Sequence, residues 1–181
     1  RYGATDEVGC FDLTDTGIQG LSDPSGLFLS RHVEPVPGTA VTVTLEGRRP
    51  LIAEVQALVA GSPLSNPRRA TSGLDSSRVA MALAVLERRF AVSLAGRDVY
   101  VSTVGGVRLG EPAADLAVAL AVASCAYERP LPPDTVVIGE LSLDGIVRHV
   151  RGVLPMAAVA RREGFKRVFV PQCDAAEAAL I

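Results

Sequence analysis

Tryptophan is absent, aromatic residues make up only 4% of the chain, and there are just three Cys and two His. So few aromatics leave a stacking platform for single-stranded nucleic acid poorly supplied. Cys10, Cys125 and Cys173 are odd in number and far apart, with no CxxC pair. That argues against a disulfide framework and a zinc ribbon, and suits a reducing cytosol. His32 and His149 cannot build a three-histidine centre, so no metal ligand set is expected in this chain. No uncharged apolar run reaches the roughly 18 residues that a membrane-spanning helix needs. The longest apolar run, residues 116–126, suits a buried core helix. The opening Arg1-Tyr2-Gly3 carries neither Met nor a signal-peptide pattern. We expect a piece of a longer, cytoplasmic protein.

What is present is an ordinary globular balance. The 181 residues are 48% apolar and 21% charged. That suits one domain, or two small ones, and is too apolar for extended disorder. The net charge of −2 hides an uneven distribution. Residues 1–47 carry two Arg against seven acids, and residues 48–108 carry nine Arg against four. The basic charge is almost all arginine, with Lys166 the only lysine. Arginine's planar fork suits bidentate phosphate binding, although loop arginines are more often simply solvated.

The chain reads as strands first and helix–strand units later. Residues 9–13 and 18–21 predict a hairpin about the Asp15-Thr16-Gly17 turn, followed by a short helical turn from Asp23 to Leu29. The β-branched run 39–45 (TAVTVTL) and residues 51–60 predict a second hairpin. Residues 61–73 (GSPLSNPRRATSG) read as a loop. Asp75 can cap a helix reaching about Phe90. A strand over 98–104, a helix over 112–127 apolar nearly all round, and a buried strand over 135–138 follow. A short strand at 146–148, a helix from Pro155 to Gly164, a strand over 166–170 and a helix from Asp174 to Ile181 complete the chain. This order predicts an α+β or mixed α/β layer architecture.

Three groups of residues invite chemistry. The stretch 104–120 (VGGVRLGEPAADLAVAL) joins a strand, a glycine loop and a buried helix, which can aim backbone N–H groups at an anion. It matches neither GxGxxG nor GxxxxGK[ST], so a plain turn feeding a core helix is the simpler reading. Neither His32 nor His149 adjoins a GxSxG elbow, and Lys166 sits at a strand edge. Three arginine pairs remain: Arg48-Arg49 in a turn, Arg68-Arg69 in a loop, and Arg88-Arg89 at a helix end. Arg78 adds a seventh candidate phosphate contact, and Arg68-Arg69 lead on the flexibility expected of their loop.

The segments 45–73 (LEGRRPLIAEVQALVAGSPLSNPRRATSG), 98–124 (DVYVSTVGGVRLGEPAADLAVALAVAS) and 129–148 (RPLPPDTVVIGELSLDGIVR) resemble the C-terminal domain of the RadA (Sms) family of bacterial DNA-repair ATPases. Arg1, Tyr2 and Gly3 resemble the end of that family's KNRFG motif, with Tyr2 where Phe is usual. Residues 1–8 would then be motif end and connector, and 9–181 the domain itself. The resemblance implies a ribosomal protein S5 domain 2-like fold, similar to the proteolytic domain of Lon. Lon-type proteases carry a Ser in PSAG and a Lys in GGLKEK. Here Pro112-Ala113-Ala114-Asp115 and Gly152-Val153-Leu154 stand there, so the dyad positions are Ala113 and Leu154. An Ala cannot attack a carbonyl and a Leu cannot take a proton. The expected domain is a pseudo-protease.

The resemblance further implies a hexameric ring that drives branch migration on double-stranded and branched DNA, alongside a RecA-type recombinase. ATP, magnesium and zinc are implied only for N-terminal segments that this sequence lacks, and no cofactor is expected within it. Arg1 is implied to couple ATP state to DNA binding. The expected role is therefore a non-catalytic oligomerisation scaffold and DNA-binding domain in recombination and repair. The competing expectation is an active Lon-like serine peptidase using Ser102 or Ser124. A small-molecule kinase of the same broad fold is disfavoured, because its Ser-rich glycine loop is missing.

Overall fold

The computed structural model describes residues 10–15, 17–21, 28–30, 34–47 and 49–180. The expected motif end and connector (1–8), His32, Arg48 and most of the helical turn from Asp23 lie outside the described residues. The first hairpin is present: β1 (Cys10–Thr14) pairs antiparallel with β2 (Gly17–Leu21).

A six-stranded mixed sheet organises the rest. Its strands are β3 (Thr39–Glu46), β4 (Arg49–Gly61), β5 (Arg69–Ser72), β6 (Arg97–Thr103), β7 (Thr135–Val137) and β10 (Arg167–Phe169). The spatial order is β10-β7-β3-β4-β6-β5. The β3–β4 and β4–β6 pairs are antiparallel, whereas β10–β7, β7–β3 and β6–β5 are parallel. Residues 69–72 are thus an edge strand, where the sequence predicts the tail of a loop. RATS has no apolar alternation to announce it; its register is imposed by β6. A small antiparallel pair, β8 (Glu140–Leu141) and β9 (Val147–Arg148), stands apart from this sheet.

Helices cover both faces. On one side α1 (Ser76–Phe90) and α2 (Asp115–Ala126) pack over Ala53, Val55, Ala57, Val99 and Val101. On the other, α3 (Val153–Arg162) packs over Val43, Ile52, Val136 and Ile138. The alternation of β3 and β4 explains the split, because successive side chains point to opposite faces. Each fully buried Val or Ile contributes roughly 1.5–3 kcal/mol. A final short helix, α4 (Ala175–Ala178), packs on α3. No helix among the described residues is long and apolar enough to cross a membrane.

Local signals place the helix starts. The Asp75 side chain accepts the Arg78 N–H at 2.9 Å, the expected N-cap. The α3 helix begins two residues before Pro155, because Gly152 adopts φ 76° and turns the chain there. A side chain at 152 would also meet Leu45 Cδ1 at 2.7 Å. Gly73 is equally constrained: its carbonyl accepts the Leu109 N–H at 2.8 Å, and an added Cβ would lie 2.0 Å from Thr103 Oγ1.

Candidate functional site

The two positions that the resemblance aligns with the protease dyad lie at two helix starts. Ala113 belongs to a single helical turn (Pro112–Ala114) that leads into α2, and it is 3% exposed. Leu154 is the second residue of α3 and half-buried. Beside Ala113 opens a cleft of roughly 290 Å3, lined by Leu45, Glu111, Glu140, His149 and Met156 among others. Ala113 is itself among the residues that line this cleft.

The two serines expected as alternative nucleophiles, Ser124 and Ser102, lie in different surroundings. Ser124 is 5% exposed and fully engaged, accepting the Gly38 N–H at 3.1 Å and donating to the Arg129 carbonyl at 2.6 Å. It ties the end of α2 to the start of β3. Ser102 lies on the face of β4, β6 and β5 away from α1 and α2, in a depression lined by Leu58, Tyr100, Ala70 and Ser72 and, among the described residues, by no His, Lys or carboxylate. The sole lysine, Lys166, pairs with Asp134 at 3.0 Å on the surface.

The arginine candidates do not share one surface. β6 begins at Arg97, which lies opposite Gly61 at the far end of β4, so Arg49 is at the other end of the sheet. β5 begins beside β6, with Arg69 opposite Val99. The last turn of α1 leads through residues 91–96 into β6, bringing exposed Arg88 and Arg89 to the end where Arg68, Arg69 and Arg97 lie. Sequence distance concealed this grouping, and Arg97 was missed because it has no arginine neighbour.

The 68–69 pair is held rather than free. The Arg68 N–H donates to Asp98 Oδ1 at 2.7 Å. This backbone bond, then the Ser62 hydroxyl, holds the Asp98 carboxyl below its ordinary value. The Arg69 guanidinium donates to the carbonyls of Leu94 and Arg97. Its fork is therefore oriented by backbone acceptors, and both residues remain exposed.

Arg78 is committed elsewhere. Its Nε and Nη2 donate to the two Asp115 oxygens at 2.9 and 2.5 Å, a bidentate pair. That hydrogen-bonded pairing raises the Arg78 pKa despite partial burial. Asp115 also accepts the Leu141 N–H at 3.2 Å. The pair locks α1, α2 and β8 together next to Ala113. On the turn between β8 and β9, the Ser142 hydroxyl and the Ile146 N–H lower the Asp144 pKa.

A family model described as ChlI, subunit ChlI of Mg-chelatase, matches residues 77–174. The chain belongs to this family. The match takes in Arg78, Ala113, Asp115, His149 and Leu154. Among full-length relatives, the chain is 53% identical to DNA repair protein RadA of Mycobacterium tuberculosis strain H37Rv over 174 residues, covering 96% of this chain and 36% of that protein. It is 54% identical to DNA repair protein RadA of Mycolicibacterium smegmatis over 171 residues, 94% of this chain and 36% of the relative. Against DNA repair protein RadA of Escherichia coli K12 the identity is 45% over 174 residues, 96% of this chain and 38% of that protein. The chain thus spans well under half the length of the curated relatives it matches.

Proposed function

We propose that this ChlI-family domain is the non-catalytic scaffold and DNA-contacting part of a RadA-type DNA repair protein. The observation that carries the reading is identity of 45–54% to proteins named DNA repair protein RadA along nearly the whole chain. The fold is of the Lon proteolytic, ribosomal protein S5 domain 2-like kind, and the hydrolytic site is extinct. Ala113 and Leu154 support this, since neither side chain can perform the dyad's proton transfer.

The basic end of the sheet faces duplex or branched DNA. Arg68, Arg69, Arg88, Arg89 and Arg97 supply fixed positive charge there, and their contacts are with phosphates, so binding carries no base specificity. Assembly into a homo-hexameric ring multiplies a modest patch through effective concentration. Exposed apolar side chains support self-association. Phe90, Leu143 and Ile146 are 52%, 63% and 59% exposed and gather about the Gly145 turn, next to Arg88 and Arg89. The ring works in the cytoplasm, in branch migration beside a RecA-type recombinase. Nucleotide chemistry belongs to other segments of the longer protein.

Titration of the assembled protein with duplex DNA over a salt series tests the reading. Arg68→Ala/Arg69→Ala should weaken binding and reduce the salt slope by about 1.8, two phosphate contacts at about 0.9 each. Equal binding with an unchanged slope would make these arginines plain surface residues. Casein and peptide hydrolysis should be absent at any concentration. Turnover abolished by Ser102→Ala would instead establish the peptidase.

A further inference from the structure

His149, Cys173 and Asp174 converge where the chain leaves β9 and where β10 gives way to the last turns. One donor atom from each, an imidazole nitrogen, a thiol sulfur and a carboxylate oxygen, lies within 4.8 Å of the other two. Asp174 is the fixed member. Its side chain is 3% exposed; one oxygen meets His149 Nδ1 and the other accepts the Val150 N–H at 3.1 Å. A carboxylate stripped of water is stable only beside positive charge or strong donors. Among the described residues the partners are one peptide N–H and one imidazole. His149 and Cys173 are exposed, so both side chains can rotate toward a ligand.

We infer that these three residues bind a divalent transition metal of the zinc type. The donor set decides the class. Magnesium and calcium take six or more oxygen ligands, whereas imidazole, thiolate and carboxylate together suit zinc or cobalt. Zinc holds sulfur at about 2.3 Å and nitrogen or oxygen at about 2.0–2.2 Å in a tetrahedron. The separations here close to that geometry by rotation of the two exposed side chains about a fixed carboxylate. Three protein ligands leave the fourth position to water. His149 also lines the cleft beside Ala113, which places the metal next to that cleft. Sequence spacing gives no hint of the site, because His149 and Asp174 are 25 residues apart.

The bound ion would clip the exit of β9 to the turns that lead into α4. The test is titration of the reduced chain with cobalt chloride, read by thiolate-to-cobalt charge-transfer absorption. Zinc chloride is titrated in parallel against a chelating dye, and melting is followed with zinc and with magnesium. The expected result is one ion per chain, a charge-transfer band, and a melting temperature raised by zinc but not by magnesium. Cys173→Ser should abolish the band. His149→Ala should weaken binding by at least about tenfold, the loss typical even of a ligand's outer partner. Cys125→Ser should leave the band in place. Metal-free melting of Cys173→Ser should match the parent, which separates a lost site from a lost fold; His149→Ala takes a partner from the buried Asp174 carboxylate, so it is judged by binding at a temperature well below its own melting point. A band that survives Cys173→Ser, binding indifferent to His149→Ala, or no stoichiometric uptake overturns the assignment.

Discussion

Removing either partner of the Arg78–Asp115 pair should destabilise the domain, and by unequal amounts. The Asp115 side chain is 9% exposed and that of Arg78 29%. Breaking a buried ion pair costs about 3–5 kcal/mol, because the remaining charge is left without compensation. Arg78→Ala strands the more buried ion; among the described residues only the Leu141 N–H and the start of α2 still face that carboxylate. We expect a loss of about 3 kcal/mol, at the low end of that range. Asp115→Ala leaves a guanidinium that water can reach, so about 2 kcal/mol is expected, including a few tenths for the favourable charge at the helix start. The double variant should cost no more than Arg78→Ala alone, a coupling of about 2 kcal/mol. Urea unfolding of the four proteins at low and high salt gives these values, and burial should keep the salt dependence small. Single losses below about 1 kcal/mol, or losses that simply add, would show that the pair is a surface contact. DNA-binding measurements on Arg78 variants must be corrected for this loss of fold.

Two further outcomes are expected. The Thr42 hydroxyl is buried with no hydrogen-bond partner among the described residues, in a residue that is 0% exposed. Thr42→Val should therefore raise stability by about 1 kcal/mol in urea unfolding, since it removes an orphaned polar group at nearly constant volume. Asp98, held below its ordinary value of 3.8 by the Arg68 N–H and the Ser62 hydroxyl, stabilises the fold above that value. The contribution disappears as pH falls below it, so Asp98→Asn should show a shallower fall of urea midpoint between about pH 5 and pH 2 than the parent.

The sequence announces elements that carry their own pattern. The run 39–45 alternates cleanly, Asp75 caps α1 as its chemistry requires, and the uniformly apolar stretch 116–126 is buried on nearly every side. Elements defined by partners are not announced. β5 is a strand only because β6 pairs with it, and α3 starts at Val153 because the left-handed turn at Gly152 overrides the usual position of Pro155. The terminal helix spans only Ala175–Ala178 within its expected range of 174–181. For the candidate site, the alignment of Ala113 and Leu154 with a protease dyad rests on the resemblance alone, and the structure adds where each residue sits. The sorting of arginines is not legible in the sequence, because it depends on which end of the sheet each strand enters.

Apart from Asp115 and Ser124, the surface of α2 is apolar, and this has a consequence for the order in which the domain forms. A helix so largely apolar gains little by forming in water, and exposed it invites aggregation. Chains fold as they are synthesised, from the N-terminal side. β3, β4, β5, α1 and β6 all precede α2, and the antiparallel β3–β4–β6 ribbon can assemble from neighbouring segments before α2 appears. The emerging helix thus meets a ready apolar surface with α1 already beside it. β7 and β10 come last and attach by parallel pairing at the opposite edge, across β3, the slower kind of contact to close. A circular permutant that made α2 the first element synthesised would keep every native contact and lose this protection.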